Sequence, residues 1–324
     1  MQQNRFDVVG VGNAIVDVIA NVDDDFVRRH GLNKGAMTLI DQDRAIELYA
    51  SMPAGIEASG GSAANTMAGL ASFGGRAAYI GKCRDDQLGD VFRHDIRATG
   101  VSYDVALGTT GPSTARCLIQ VTPDAQRTMN TFLGISALLS PDDVDGDLVA
   151  SASVVYCEGY LWDVDIAKEA IRKAMDIAHQ AGRKVALTLS DSFCVDRHRD
   201  EWRELIRDKV DIVFANEAEL CALYECDWTM AARNITSEVE IGCLTRSARG
   251  STIVFGTERV DVDAHPARVV DTTGAGDLYA AGFLYGYTRG FDMHRCAELA
   301  GLAAAEIIGH LGARPARPLT ALVG

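Results

Sequence analysis

Residues 184–224 read KVALTLSDSFCVDRHRDEWRELIRDKVDIVFANEAELCALY and alternate between two kinds of pattern. The short runs Lys184–Leu189 and Asp211–Ala215 are rich in apolar and β-branched residues and predict strands. The segments Glu201–Lys209 and Glu217–Tyr224 mix charged and apolar residues and predict helices. Strands that alternate with helices form a mostly parallel sheet with helices on both faces. This stretch therefore predicts an α/β fold.

The same alternation extends over most of the chain. Two strand-rich insertions, at about 13–41 and 101–132, interrupt it, and we expect them to form a small β-sheet that covers the main sheet as a lid. We expect a single domain over residues 1–324, and the segment from Arg314 to the end is expected to pack loosely. Further strands are predicted at Phe6–Gly12, Ile15–Val22, Ala77–Ile80, Ser113–Val121, Thr128–Phe132, Ser153–Cys157, Ile241–Thr245, Thr252–Phe255 and Arg268–Val270, and further helices at Gly61–Phe73, Leu88–Ala98, Ile166–Ala181, Ala275–Tyr287 and Met293–Leu311.

Composition excludes several classes of protein. The chain has 324 residues, of which 48% are hydrophobic and 23% charged, so it can fold around a large core. The net charge of −14 argues against nucleic-acid binding, which needs basic side chains. No apolar run is long enough to cross a membrane. The eight cysteines form no C-x-x-C pair, which is typical of a cytoplasmic protein with reduced thiols.

The segment Asp271-Thr272-Thr273-Gly274-Ala275-Gly276-Asp277 carries the strongest functional signal. A glycine turn lets backbone N–H groups approach an anion closely, and the helix that follows adds a partial positive charge. Asp277 falls in the first turn of that helix, where a carboxylate can accept a proton from a hydroxyl that attacks a phosphate. The pattern predicts a phosphate cradle with an adjacent base.

Three other segments carry weaker signals. Gly60-Gly61-Ser62-Ala63-Ala64-Asn65 suits either a polyhydroxyl ligand or close helix packing. Asn216-Glu217-Ala218-Glu219 either orders a hydrated divalent ion or forms a helix capping box. Gly10–Asp17 lacks the third glycine of the dinucleotide fingerprint, which disfavours an oxidoreductase, but it leaves Asn13 and Asp17 at the mouth of a strand.

In this order along one chain, these segments resemble the PfkB (ribokinase-like) family of carbohydrate and nucleoside kinases. The resemblance implies a ribokinase-like kinase domain with a lid, and transfer of a phosphoryl group from ATP to a hydroxyl. It also implies roles for individual residues. Asp277 is the implied base; Gly274, Ala275 and Gly276 form the anion hole; Asn216 and Glu219 organise Mg²⁺ through water; Asp271 and Thr273 lie where a monovalent cation such as K⁺ binds; and Asn13, Asp17, Gly60, Gly61, Ser62 and Asn65 bind the acceptor.

Within the family, Gly12–Asp17 and Leu187–Phe193 resemble the adenosine kinase subgroup. That likeness implies a purine site with Phe193, Ile15 and either Leu161 or Tyr160 as its walls. Arg127 matches a lid arginine that reaches the ATP phosphates. Thr245 and Gly250 belong to a nucleotide-binding turn, although Ser247 replaces its usual first glycine.

The implied reaction is phosphorylation of a nucleoside 5′-hydroxyl, most readily that of adenosine to give AMP. One alternative is a kinase of the same family that acts on a free sugar such as ribose or fructose. Another is a sensor that binds nucleoside or sugar without catalysis. Arg116, on a lid strand, would suit a phosphorylated or acidic sugar if it faced the site. We expect a small-molecule partner, neither nucleic acid nor membrane, and a monomer or homodimer.

Overall fold

The computed structural model describes residues 4–124 and 126–324, which form two sheets and eleven α-helices. The strands are β1 (Phe6–Val11), β2 (Ile15–Asn21), β3 (Met37–Leu39), β4 (Ile56–Gly60), β5 (Ala77–Ile80), β6 (Ala115–Val121), β7 (Arg127–Phe132), β8 (Ala152–Glu158), β9 (Lys184–Thr188), β10 (Ile212–Asn216), β11 (Ile241–Thr245), β12 (Ser251–Phe255) and β13 (Glu258–Val262). The helices are α1 (Asp24–Arg29), α2 (Gln42–Ser51), α3 (Ser62–Ser72), α4 (Gln87–Ala98), α5 (Gly146–Ala150), α6 (Asp165–Gln180), α7 (Ser192–Lys209), α8 (Glu217–Tyr224), α9 (Trp228–Glu238), α10 (Ala275–Thr288) and α11 (Met293–Ile307).

The main sheet has the strand order β13-β12-β11-β10-β9-β8-β1-β5. Its strands are parallel from β5 to β11, and β12 and β13 complete one edge in the antiparallel direction. Helices cover both faces: α6, α7, α8 and α9 contribute to one core cluster, and α3, α4, α10 and α11 contribute to the other. The mostly parallel α/β fold is confirmed.

A second sheet of five strands has the order β3-β7-β6-β2-β4. It contains strands from both predicted insertions, and β4 extends it beyond residue 41 to Gly60. Along β2, Val16, Val18 and Ala20 are buried, whereas Ile15, Asp17 and Ile19 are half-buried, as expected for the period of two in a strand. Since these residues alternate, one face of the lid packs against the protein and Asp17 lies on the other.

Several predicted elements differ from the structure. The strand predicted at Arg268–Val270 is wrong: that segment has no regular structure, and the edge strand is β13 instead. Helix α7 begins at Ser192, nine residues before the predicted start at Glu201, and bends at His198. Helices α1, α2, α5 and α9 have no predicted counterpart.

The end of the chain is packed, so the prediction of a loose segment after Arg314 is wrong. Leu319 is fully buried in a cluster with Phe73 and Leu278, and its N–H donates to Ser72 Oγ (3.0 Å). Within the described residues, no helix combines the length and the apolar character that a bilayer crossing requires.

Candidate active site

Asp277 lies where two segments distant in sequence meet. It belongs to the first turn of α10, and both of its carboxylate oxygens accept hydrogen bonds from α3. Ser62 Oγ donates to Oδ1 (2.6 Å), and Asn65 Nδ2 donates to Oδ2 (2.9 Å). The segments predicted as a cradle and as an acceptor site therefore form one site, and Ser62 and Asn65 orient the carboxylate.

Burial dominates the electrostatics of Asp277. Removal from water raises the pKa of this carboxyl, while the hydrogen bonds from Ser62 and Asn65 and the positive charge of Arg314 limit the rise. The carboxylate is consequently a stronger proton acceptor than an exposed aspartate. Proton acceptors that function near neutral pH benefit from this kind of shift.

The glycine turn before α10 has an open side. Gly274 has φ = 77°, a left-handed conformation that favours glycine, and it caps the helix. A side chain at Gly276 would meet nothing within 4 Å, so the space in front of it is free. The N–H groups of the first helical turn have no intrahelical acceptor. The Ala275 N–H donates to Thr272 O (3.3 Å), whereas the N–H groups of Gly274 and Gly276 have no acceptor within the described residues. The predicted anion hole therefore has two unpaired N–H groups in this turn.

Asp17 projects from the lid strand β2 against the glycine pair. A side chain at Gly60 would overlap the Asp17 carboxylate, and one at Gly61, where φ = 94°, would overlap Asn13 O. Burial raises the pKa of Asp17 to about 6, and the charges of Arg314 and Arg127 oppose that rise. Within the described residues the Asp17 carboxylate has no hydrogen-bond donor, so it is available to ligand hydroxyls.

Asn13 has a different environment from the one expected for a ligand contact. Its Nδ2 donates to Glu158 Oε1 (2.8 Å), and its Oδ1 accepts from Ser136 Oγ (2.9 Å). The N–H groups of Asn13 (3.3 Å) and Ala63 (2.9 Å) donate to Glu158 Oε2. The side chain of Asn13 is therefore used in contacts with Glu158 and Ser136 and is not free to bind the acceptor.

The sequence interpretation missed Glu158, a buried carboxylate at the end of β8 that joins the loop after β1 to α3. Burial raises the pKa of Glu158 to about 7, despite its three donors. The signal was a glutamate that ends a run of apolar residues in a predicted inner strand.

The proposed walls of a purine site have unequal exposure. Phe193, in the first turn of α7, is 74% exposed and therefore does not pack in the core. Ile15 and Tyr160 are half-buried, and Tyr160 Oη donates to Ser190 O (3.2 Å). Leu161 is only 2% exposed and packs within the core, so of the two alternatives only Tyr160 keeps its place.

Asn216 and Glu219 form the capping box that one interpretation of the sequence predicts. Asn216 Oδ1 accepts from the Glu219 N–H (2.9 Å), and Glu219 Oε2 accepts from the Asn216 N–H (2.9 Å). Burial raises the pKa of Glu219 to about 7, with Asp191 adding to the rise. A buried carboxylate whose pKa rises in this way would be stabilised by a cation, so the pair also fits a hydrated Mg²⁺.

Arg127 and Asp271 form an ion pair that links the lid to the glycine turn. Both side chains are almost fully buried, and Asp271 also accepts from the N–H groups of Thr273 and Gly312 (both 3.0 Å). These donors and the guanidinium hold the pKa of Asp271 below its usual range, although burial opposes them. In this structure the Arg127 guanidinium takes the place that a K⁺ ion would have at the Asp271 carboxylate. Binding of K⁺ by Asp271 and Thr273 therefore stays a prediction.

The predicted nucleotide turn lies beside Asn216. Thr245 ends β11 in register with Asn216, and a short 3-10 helix over Ser247–Arg249 leads to Gly250. Ser247 adopts φ = 52°, so the turn forms without the usual glycine, but with a serine in a left-handed conformation.

Arg116 points away from the acceptor side of the lid. It alternates with Cys117 along β6, and Cys117 pairs in register with Asp17. Its guanidinium carbon lies 5.9 Å from the ring centre of Tyr49 and 6.0 Å from that of Phe132. The structure thus gives no support for a phosphorylated sugar held by Arg116.

Comparisons with known proteins identify the family of the chain. Residues 51–319 match the pfkB family carbohydrate kinase model. Adenosine kinase from Sinorhizobium meliloti is 53% identical, with 98% of each chain covered and a TM-score of 0.91. A probable sugar kinase from Rhizobium etli CFN 42 is 51% identical, with 99% of this chain and 98% of that chain covered and a TM-score of 0.92.

A more distant relative, an uncharacterized sugar kinase of Archaeoglobus fulgidus, is 28% identical over 256 residues, which cover 77% of this chain and 98% of that protein. The family match includes both the glycine pair and the Asp277 cradle. The chain therefore belongs to the pfkB family of carbohydrate kinases and is a phosphotransferase that acts on a hydroxyl group.

Proposed function

We propose that the protein transfers the γ-phosphoryl group of ATP to the 5′-hydroxyl of a nucleoside, with adenosine as the preferred acceptor. The observation that carries the proposal is Phe193, a large aromatic side chain left 74% exposed at the carboxyl end of the main sheet. An aromatic face in this position suits a purine better than a free sugar. The similarity to the Sinorhizobium meliloti adenosine kinase supports the same acceptor.

The oxygen of the acceptor hydroxyl forms a bond to the γ-phosphorus, and Asp277 accepts the proton of that hydroxyl. The bond between that phosphorus and the ADP oxygen breaks, and ADP leaves with the electron pair. The N–H groups of Gly274, Ala275 and Gly276 stabilise the charge on the migrating group. Bound Mg²⁺ would neutralise the phosphate charge, with Asn216 and Glu219 holding its waters. Arg127 would contribute to ATP binding after leaving Asp271.

The polar part of the acceptor site is suited to ribose hydroxyls. Asp17 offers a carboxylate without a donor among the described residues, and Asn65 Oδ1 is a buried acceptor without a partner there. A buried polar atom costs free energy until a ligand satisfies it. Thr245 and Gly250 remain proposed contacts for the nucleotide, and Ile15 and Tyr160 remain proposed walls for the base.

A free-sugar acceptor is the second candidate. Because Leu161 packs in the core, the acceptor site has fewer apolar walls than the sequence predicts. The Rhizobium etli relative is described as a probable sugar kinase. A sensor without catalysis is disfavoured because Ser62 and Asn65 hold the base Asp277 in place.

The test is a coupled assay of ADP release with Mg-ATP and adenosine, guanosine, inosine, ribose or fructose. We compare the wild type with Asp277→Asn, and use Asp43→Asn as a matched control because Asp43 is an exposed aspartate in the first turn of α2. Asp277→Asn is expected to lower kcat by about 10²–10⁴ while acceptor binding is kept. Turnover on ribose or fructose but not on nucleosides would favour the second candidate. Binding without turnover in the wild type would favour a sensor.

A further inference from the structure

The segment that follows α11 returns to the site and contacts both of its halves. Gly312 donates its N–H to Asp271 (3.0 Å), and Ala313 lies against Gly274, where a side chain would come within 3.0 Å of it. The next residue, Arg314, reaches the strand β4 and the start of α3. The segment therefore connects the cradle to the acceptor half of the site.

Arg314 holds the backbone on either side of the glycine pair. Its Nε (3.1 Å) and Nη2 (2.8 Å) donate to Ser59 O, and Nη2 also donates to Ser59 Oγ (2.8 Å). On the other side of the turn, Nη1 donates to Ala64 O (2.7 Å). Ser59 is fixed in turn by Asp95 Oδ2, which accepts from its N–H and Oγ (both 2.7 Å).

These contacts leave little capacity for a ligand. A guanidinium has five N–H groups, and the contacts to Ser59 and Ala64 use four of them. Arg314 is thus not placed to bind a substrate phosphate. Its remaining influence is the charge it carries.

Carboxylates from three elements face this charge. They are Asp95 on α4, Asp17 on β2 and Asp277 on α10, and the phenol of Tyr79 on β5 also faces it. Burial lowers the pKa of Arg314, and these acidic groups oppose the decrease. Arg314 in turn lowers the pKa of both Asp17 and Asp277. The other charged or titratable groups facing the two carboxylates are Arg127, Cys117, Glu158, Tyr156 and Tyr160.

We propose that Arg314 is a positioning residue of the acceptor site, which fixes the Ser59–Ala64 turn and supplies the cationic charge that faces Asp17 and Asp277. Through the turn it sets the places of Ser62 and Asn65, the two donors that orient Asp277. Through its charge it favours the ionised form of both carboxylates, which the proton transfer requires. The proposal rests on the phosphotransfer role of Asp277.

The test compares Arg314→Gln, which removes the charge, with Arg314→Lys, which keeps it. Arg317→Gln is the matched control, because Arg317 is an exposed arginine of the same segment. We measure kcat/KM for adenosine from pH 5 to 9, and thermal unfolding of the ligand-free protein from pH 5 to 8. Since burial raises the pKa of Glu158 to about 7, both series are repeated in a Glu158→Gln background.

In Arg314→Gln the positive charge beside Asp17 and Asp277 is lost, so the acidic limb of the kcat/KM profile is expected to move to higher pH by about one unit. The Tm of Arg314→Gln should also fall further below that of the wild type as the pH rises. Without the arginine charge the pKa of the two carboxyls is higher in the folded protein than in the wild type, so their ionisation destabilises the folded state more. Arg314→Lys should keep the wild-type limb with a raised KM, since an ammonium cannot reproduce the fork of contacts. Arg317→Gln should match the wild type.

A limb unchanged in Arg314→Gln, together with a Tm difference independent of pH, would overturn the proposal and leave only a structural role. If Arg314→Gln does not fold, a shifted limb in Arg314→Lys overturns it instead. The unfolding series needs no substrate, so it separates the two proposals. A wild type without turnover but with a widening Tm difference would overturn the proposed function and retain the charge role of Arg314.

Discussion

Phe193 shows at the residue scale how exposure identifies a candidate binding group. A phenylalanine 74% exposed contributes little to the core, so its removal should leave the fold intact. The same side chain is the wall that would distinguish a base from a bare sugar. Its energetic role is thus testable without a confounding loss of stability.

Phe193→Ala is expected to raise KM for adenosine by about threefold to tenfold, since an aromatic contact contributes roughly 0.5–1.5 kcal/mol. The Tm should remain within about 1 °C of the wild type, as for a surface substitution. Steady-state kinetics checks this, with Met230→Ala as control because Met230 is an exposed apolar side chain on α9. An unchanged KM for adenosine would contradict the role of Phe193.

Ser247 is a second residue whose local conformation makes a prediction. Its φ of 52° costs a non-glycine residue about 1–2 kcal/mol, and glycine loses roughly 0.5–1 kcal/mol in chain entropy. Ser247→Gly should therefore stabilise the protein by up to about 1 kcal/mol. Urea unfolding measures this as a higher midpoint with an unchanged slope.

The control for this change is Ser237→Gly, in the last turn of α9. There the serine is helical, so glycine should destabilise by about 0.5–1 kcal/mol. The two serine-to-glycine substitutions would then change the free energy of unfolding in opposite directions. Destabilisation by both would show that the φ of Ser247 is not a source of strain.

The lid is the element that brings Asp17 over the glycine pair, and a buried ion pair anchors it. Arg127 begins β7 and binds Asp271 in front of α10. Because a buried charge without its partner is costly, this pair restrains the lid more than an exposed pair would. The exposed contacts of Lys34 with Asp24 and Asp124, also at the lid, should contribute little.

Arg127→Gln is expected to increase amide hydrogen exchange in Arg127–Phe132 and the paired strand Ala115–Val121 by about tenfold or more, because local opening becomes easier. The exchange of the main sheet should stay unchanged. Mass-spectrometric exchange of the ligand-free protein measures both, with Lys34→Gln as the exposed control. Equal lid exchange in Arg127→Gln and the wild type would exclude the anchoring role.

At the scale of the whole molecule, buried carboxylates link stability to pH. Burial raises the pKa of Asp17 to about 6 and that of Glu158 and Glu219 to about 7. Between pH 4 and 7 the folded protein therefore binds more protons than the unfolded chain at these groups. It follows that their contribution to the free energy of unfolding falls as the pH rises through this range.

Glu158→Gln should remove one of these contributions. From a pKa of 4.5 in the unfolded chain to about 7 in the folded protein, Glu158 alone accounts for a loss of about 3 kcal/mol on raising the pH. Urea unfolding at pH 5, 6, 7 and 8 should show the free energy of unfolding of the wild type decreasing more steeply than that of Glu158→Gln. Parallel pH profiles would mean that Glu158 does not titrate in this range.

Local signals were sufficient to predict most strands of the main sheet and the glycine turn before α10. Alternating strand and helix patterns predicted the strands β8 to β11 closely, and a glycine turn followed by an aspartate predicted the start of α10 and Asp277. Strand propensity failed at Val269 and Val270, which are exposed and pair with no strand, and the short polar helices α1 and α2 had too weak a pattern.

Which side chains meet in the site depends on how distant elements pack together. The contacts of Asp277 with Ser62, of Glu158 with Asn13 and of Arg127 with Asp271 join residues that are 215, 145 and 144 positions apart in the sequence. Arg314 reaches Ser59 across 255 residues. Such contacts leave no mark in local composition, because they depend on burial and charge that arise only when distant elements pack together.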